Sequence, residues 1–463
     1  MKYAVRGTVP LTAAKISEEI ASGSTKYPFE EVLYCNIGNP HSVGQPYINF
    51  YRNVLVLVDA PHLLKMPGIE NFFPRDTIER SKLISSYLQG GTGAYSHSQG
   101  VPGIRKHVAE FIEQRDGYPS DPQDIFLTNG ASTGINHIFN TIISGPDIAI
   151  FIPIPQYPIY SATITILDGK QVGYRLQESK GWTIDIEDLR QKIQETRHSG
   201  LTPRALVVIN PGNPTGNIIS YDQLKELVKL CRTEGIILLA DEVYQENCYV
   251  EKPFVSVKKV VRDLGSDYAN FEFVSFHSTS KGLIGECGRR GGYMEVCGFQ
   301  PEVKSQLAKL VSSGLCSNLD GQVMTQLMTT PPKPGDESYE SFQQETNEIF
   351  NSLKRKSKIL HERLNVIPGI TCQRLEGAMY AFPKIHLPDK AIQAAMNAHQ
   401  SPDTFYSLEL LHKTGICTVP GSGFGQESGT FHIRMTFIPS EEKLVKALDD
   451  LENFHMEFMK KYS

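Results

Sequence analysis

Residues 205–244 read ALVVINPGNPTGNIISYDQLKELVKLCRTEGIILLADEVY, and the order of elements in that stretch decides the fold. Ala205 to Ile209 is a short apolar run that stops at Asn210-Pro211, which reads as a buried strand. A helix follows. Ser220 can cap it, and Gln223 three residues on completes a capping box. Leu224, Leu227, Val228 and Cys231 share one face, and Gly235 sits where the chain must leave the helix. Ile236 to Ala240 is then a second apolar run of strand length. Strand, helix, strand in that order predicts a parallel sheet with helices on both faces.

Outward from this core, Ile148 to Ile152 and Phe271 to Phe276 add two more apolar runs, so the alternation extends from about Ser120 to Gln300. After Leu319 the pattern changes. Pro331, Pro332, Pro334 and Gly335 mark a break. Phe342, Ile349, Phe350, Leu353, Leu360 and Leu364 then recur at a spacing near that of a helix. The remainder reads as a smaller α+β unit. The expected division is 1–65 as an N-terminal arm and part of the small domain, 66–330 as the large α/β domain, and 331–463 as the C-terminal small domain.

The chain of 463 residues is too long for one ordinary core, and its 40% hydrophobic and 21% charged content suits a soluble globular protein. A net charge of −5 argues against a nucleic-acid partner, which would want a basic stripe. The eight cysteines show no CxxC spacing, so neither a disulfide scaffold nor a zinc site is expected. No apolar run approaches membrane-spanning length. Glu18 and Glu19 stand where an organelle transit peptide avoids acid, so a cytoplasmic location is expected.

In an open parallel sheet, ligands bind beyond the carboxyl ends of the strands. Thr128-Asn-Gly-Ala-Ser-Thr133 leads into a helix, and its amides suit either a phosphate or a plain N-cap. Asn210-Pro-Gly-Asn-Pro-Thr-Gly216 is a rigid turn. Asp241 and Glu242 follow the next strand, where a carboxylate either caps a helix or answers a cation. After Phe276 come His277-Ser-Thr-Ser-Lys281 and Arg289-Arg-Gly-Gly292. A lysine is usually a solvated surface residue. One placed among arginines at a strand-end cleft is a usable nucleophile and proton carrier, because neighbouring cations and burial lower its pKa.

NPGNPTG, DEVY, SxSK and GRRGGY in that order resemble the fold-type I pyridoxal-phosphate aminotransferases of class I/II. The spacing agrees: 241 − 213 = 28, 281 − 241 = 40 and 290 − 281 = 9. The resemblance runs through nearly the whole chain. It implies a mostly parallel central sheet flanked by helices with a second, smaller α+β domain, and pyridoxal 5'-phosphate held as a Schiff base on Lys281. It further implies that Asp241 keeps the pyridine nitrogen protonated, and that Asn213 and Tyr244 donate to the phenolate oxygen. Ser278, Ser280 and Arg290 would hold the phosphate beside the Ala131 and Ser132 amides. Arg289 would then be a surface residue. Tyr157 would stack on the ring, and Tyr95 would reach the partner subunit's cofactor in a homodimer with shared sites. Arg434 would clamp the substrate α-carboxylate, and Gly38 would let the N-terminal segment approach closely.

Several details are similar to alanine aminotransferases: HSTSKG at 277–282, GECG at 285–288, RGGYME at 290–295, YSHSQG at 95–100 and GAMY at 377–380. The implied reaction is L-alanine plus 2-oxoglutarate to pyruvate plus L-glutamate by a ping-pong cycle. Two stretches depart from the subfamily pattern, His41-Ser-Val-Gly44 and Leu283-Ile284, and either could line or brace the substrate pocket. A glutamate:glyoxylate aminotransferase is the alternative within the subfamily. A ligand-binding protein without chemistry is the alternative outside it, although such a protein has no reason to keep Lys281, Asp241 and Arg434 together. A dinucleotide-binding enzyme is disfavoured, since no GxGxxG follows a strand.

Overall fold

A computed structural model describes residues 7–463. The central sheet has eight strands. In spatial order they are Ile125–Leu127, Gly292–Cys297, Phe273–Ser278, Ile237–Asp241, Thr202–Ile209, Ile148–Ile154, Lys170–Gln177 and Thr183–Ile184. The five from Phe273–Ser278 to Lys170–Gln177 run parallel, while Gly292–Cys297 is antiparallel to both its neighbours and Thr183–Ile184 to its one.

The apolar runs form strands because both faces are covered. Along Thr202–Ile209, Ala205, Val207 and Ile209 pack with Ile135 and Ile138 of the helix Ala131–Ile142. Leu206 and Val208, pointing the other way, pack with Leu224, Leu227 and Val228 of the helix Tyr221–Glu234. Strand geometry sends alternate side chains to opposite faces, so a continuous apolar run fits a sheet covered on both sides. The Ser220 half of the expected capping box of Tyr221–Glu234 forms. Ser220 accepts from the Gln223 amide at 3.3 Å, and Gly235 takes the left-handed conformation with φ 63°. Lys170–Gln177, by contrast, is largely polar and half-exposed, and no hydrophobic periodicity marks it.

The long helix predicted from Phe342 to Leu364 spans Tyr339–Val366 and buries Phe342, Ile349, Leu353, Leu360 and Leu364. It packs against the last helix, Glu441–Tyr462, as part of a second core. A three-stranded antiparallel sheet of Tyr380–Ala381, Ile433–Thr436 and Val419–Pro420 belongs to this C-terminal part. Leu33–Tyr34 pairs in parallel with Ile416–Cys417, which ties the N-terminal segment to the C-terminal part. Among the described residues, no helix is long and apolar enough to cross a membrane.

Candidate active site

At the carboxyl ends of the parallel strands lies a cavity of about 350 Å³. Its floor is built from the residues at and just beyond each strand's end. Asp241 ends one strand and Ser278 ends the next, with Ser280 and Lys281 in the turn beyond. Asn213 comes from the turn after Ile209, and Tyr157 from the turn after Ile154. Ala131 and Ser132 contribute the first turn of Ala131–Ile142. Tyr244 and Arg290 complete the floor. The C-terminal sheet supplies Arg434 and Tyr380, and the N-terminal segment supplies Gly38. Tyr95 lies elsewhere. It is 77% exposed beside Ser96 and His97, outside this cavity.

Asp241 is fully buried, and burial pushes its carboxyl up to about 6 against the opposing effect of two hydrogen bonds. Tyr160 donates to its Oδ2 at 2.7 Å, and the Val243 amide approaches its Oδ1 at 3.4 Å. A carboxylate held in this state gains from a cation placed against it. Glu242, directly after it, turns the other way and accepts from the Val257 amide at 2.8 Å.

Arg290 holds a different corner. Its guanidinium donates to Ser280 Oγ and Ser132 Oγ, each at 3.3 Å, and to the Asn129 carbonyl at 2.9 Å. It adopts φ 54°, a conformation unusual for a residue with a side chain. Gly130 is required here: φ 77° with ψ 167° is a conformation open essentially to glycine alone. Ser278 Oγ donates to the Gly291 carbonyl at 3.1 Å and accepts from the Ser280 amide at 3.1 Å. A guanidinium, two hydroxyls and a helix N-terminus together form a site that suits a phosphate-sized anion. The neighbouring Arg289 is not a simple surface residue. It is half-buried and pairs with Asp320 at 3.3 Å.

Arg434 is 1% exposed. Its Nη1 donates to Asn213 Oδ1 at 3.1 Å and its Nη2 to the Asn36 carbonyl. The guanidinium lies 4.2 Å from the centre of the Tyr380 ring and 4.8 Å from that of Phe424. Lys281 Nζ donates to the Gly38 carbonyl. Among the described residues, no carboxylate lies within 4.0 Å of either cation. A cation withdrawn from water without a counter-ion is costly, and an anionic ligand relieves that cost.

Some of these contacts are not legible in the sequence. Tyr160, Asn36 and Tyr380 were not foreseen as site residues, although GAMY at 377–380 contributes to the resemblance. Neither divergent stretch lines the cavity, and the residues flanking them touch. Gln45 Nε2, just after Gly44, donates to the Leu283 carbonyl at 3.3 Å, and a Cβ on Gly285 would lie 3.0 Å from Pro40 Cβ.

The family described as aminotransferase class I and II matches residues 70–451. The chain belongs to that family. It is an aminotransferase, and the family is pyridoxal-phosphate dependent. A probable mitochondrial alanine aminotransferase of Dictyostelium discoideum is 49% identical over the whole of this chain and 88% of its own length. Glutamate–glyoxylate aminotransferase 2 of Arabidopsis thaliana is 47% identical over the whole chain and 95% of its own length. Among solved structures, an alanine aminotransferase of Pyrococcus furiosus aligns with TM-score 0.77 at 26% identity, covering 98% of each chain. These names correct one expectation. The Dictyostelium protein and a 49% identical alanine aminotransferase of Arabidopsis are both mitochondrial, which points away from the cytoplasm. Two acidic residues near the start were too weak a signal to decide the compartment of this aminotransferase.

Proposed function

We propose that the cavity binds pyridoxal phosphate on Lys281 and transfers the amino group of L-alanine to 2-oxoglutarate. The observation that carries this reading is the gathering of Lys281, Asp241, Arg290 and Arg434 around one cavity, with Lys281 and Arg434 lacking carboxylate partners among the described residues. The residues fit the cofactor: the Arg290–Ser132–Ser280 corner suits its phosphate, and the buried Asp241 suits its ring nitrogen. When bound, pyridoxal phosphate supplies an electron-withdrawing ring that accepts the electron pair released as the substrate α-C–H bond breaks.

The chain's own groups then have separate tasks. Asp241 keeps a positive charge on the ring nitrogen, and Tyr160 fixes the carboxylate in place. Asn213 turns its carbonyl oxygen to Arg434, leaving its amide nitrogen to donate toward the cofactor's phenolic oxygen; Tyr244, whose hydroxyl donates to Tyr380 in the unloaded chain, turns it to that same oxygen when the cofactor is bound. Ser278, Ser280, Arg290 and the amides of Ala131 and Ser132 hold the phosphate, and Tyr157 covers one face of the ring. Arg434 takes the substrate α-carboxylate as a planar fork and so sets the direction of the α-C–H bond. Lys281 Nζ takes the α-proton. Gly38 keeps the N-terminal segment close above. Tyr95, exposed in the isolated chain, serves the partner subunit's site in a homodimer.

A half-reaction panel tests this. The loaded protein is mixed separately with alanine, glutamate, aspartate and tyrosine, and the visible absorption of the bound cofactor is followed. Alanine and glutamate both discharge it; failure of either overturns the assignment. A second reading is favoured by the 47% identity to a glutamate–glyoxylate aminotransferase. Pockets separate substrates differing by a methylene by only ~1–3 kcal/mol, so both acceptors belong in the panel. Turnover of glutamate with glyoxylate faster than with pyruvate would shift the assignment to that activity.

A further inference from the structure

Tyr380 sits between groups that the proposed reaction uses, yet the sequence motifs give it no role. It is 2% exposed and lines the cavity. Tyr244 donates its hydroxyl to the Tyr380 hydroxyl at 3.4 Å, while the Arg434 guanidinium lies 4.2 Å from the Tyr380 ring centre. A Cβ on Gly38 would lie 2.2 Å from Tyr380 Oη and 3.0 Å from Lys281 Nζ. The hydroxyl and the amine therefore flank the same point on the N-terminal segment.

We propose that Tyr380 is a positioning residue with two separable functions: its ring face holds Arg434 for the substrate carboxylate, and its hydroxyl tunes Lys281 and Tyr244. The inference rests on the assignment of Lys281 and Arg434 made above. The ring function follows from the stacking geometry, since an aromatic face attracts a guanidinium and restrains its tilt. The hydroxyl function follows from its neighbours. Burial raises the phenol's pKa, but the cations of Lys281 and Arg434 and the bond from Tyr244 outweigh it, so the net direction is downward; the Cys287 thiol opposes this weakly. A phenol biased toward its anion places a negative-leaning oxygen on the same side of Gly38 as the nitrogen at position 281. It also engages Tyr244, whose own hydroxyl is pushed well above its ordinary value by burial and then by Tyr380.

Two variants separate the functions. Tyr380→Phe keeps the ring and removes the hydroxyl; Tyr380→Leu removes both. In Tyr380→Phe, KM for alanine stays within about twofold, while kcat falls about tenfold through loss of the hydroxyl that flanks Lys281 and meets Tyr244. The pH midpoint of the bound cofactor's visible absorption also moves to lower pH, because a nearby negative-leaning oxygen is gone. In Tyr380→Leu, KM rises a further ~3–10-fold from loss of the stacked guanidinium. An unmoved or upward-moved midpoint in Tyr380→Phe, or equal KM in the two variants, overturns the proposal. Thermal midpoints read in parallel identify a variant that has failed to fold, in which case Tyr380→Met replaces Tyr380→Leu. If the wild-type chain shows no visible absorption with pyridoxal phosphate, the functional assignment itself has failed, and the two failures are told apart.

Discussion

Tyr160 donates a 2.7 Å hydrogen bond to the buried carboxylate of Asp241, from the turn of helix that comes after Ile154 and Tyr157. The pair shows how the fold handles an acid that burial disfavours. Asp241 ionises with difficulty in the cofactor-free chain, and its one phenolic partner offsets part of the cost.

That relationship gives a pH-dependent stability. Asp241 has an ordinary value of 3.8 and is pushed up to about 6 in the fold. The folded state thus holds more protons than the unfolded chain between those values, and stability falls as pH rises through that window. Above it the carboxylate costs about 3 kcal/mol, taking ~1.4 kcal/mol for each pH unit between the two values. Cofactor-free Asp241→Asn is therefore expected to resist urea better than wild type at pH 7.5, with the advantage shrinking toward pH 5. Urea titrations at both values check this; equal midpoints at pH 7.5 would count against it.

Gly38→Ala addresses the N-terminal segment. An added methyl would sit 2.2 Å from Tyr380 Oη, so the phenol or the segment must shift. Overpacking of this kind costs about 1–3 kcal/mol, and displacement of reacting groups by ~1 Å costs about 100-fold in rate. The expected result is a kcat loss much larger than the loss of stability. Steady-state kinetics and chemical denaturation on the same preparation measure both.

Arg434→Lys keeps the charge and removes the fork. A point charge cannot donate to Asn213 and Asn36 while also meeting both oxygens of a carboxylate. KM for alanine should rise by roughly 10–100-fold, the range expected for loss of one charge-assisted bond of ~1.5–3 kcal/mol. A KM within twofold of wild type would remove Arg434 from carboxylate recognition.

Away from the cavity, Lys258 and Glu295 form an ion pair in which each side chain is 1% exposed. Ser120 also donates to Glu295 Oε1. Lys258→Met leaves that carboxylate buried and unpaired, at a cost of about 3–5 kcal/mol, whereas adding Glu295→Leu returns most of the loss. Comparing urea midpoints of the single and double variants decides whether the pair is worth more than apolar packing in its place.

Legibility in the sequence followed locality. The helix Tyr221–Glu234 could be bounded because Ser220 and Gly235 act on backbone groups a few residues away. Lys281, Asp241 and Asn213 could be named because each lies at or just after the end of a strand, and a parallel sheet brings such positions together. Tyr160 was missed because the identity of a phenol's partner depends on how two strands and a helix stack, which no local pattern encodes. Lys170–Gln177 was missed because a strand near the sheet edge need not be apolar. Arg289 departs from a plain surface position because it pairs with both Glu286 and Asp320, the latter 31 positions later.

The Arg434 guanidinium rests on the carbonyl of Asn36, almost 400 positions earlier in the chain (398 by count). The first and last parts of the polypeptide thus share one wall, and a ribosome-bound fragment lacking the final segment has no wall to offer. Closure of that wall accordingly waits for the final segment, and a chain ended before residue 434 lacks the guanidinium that completes it.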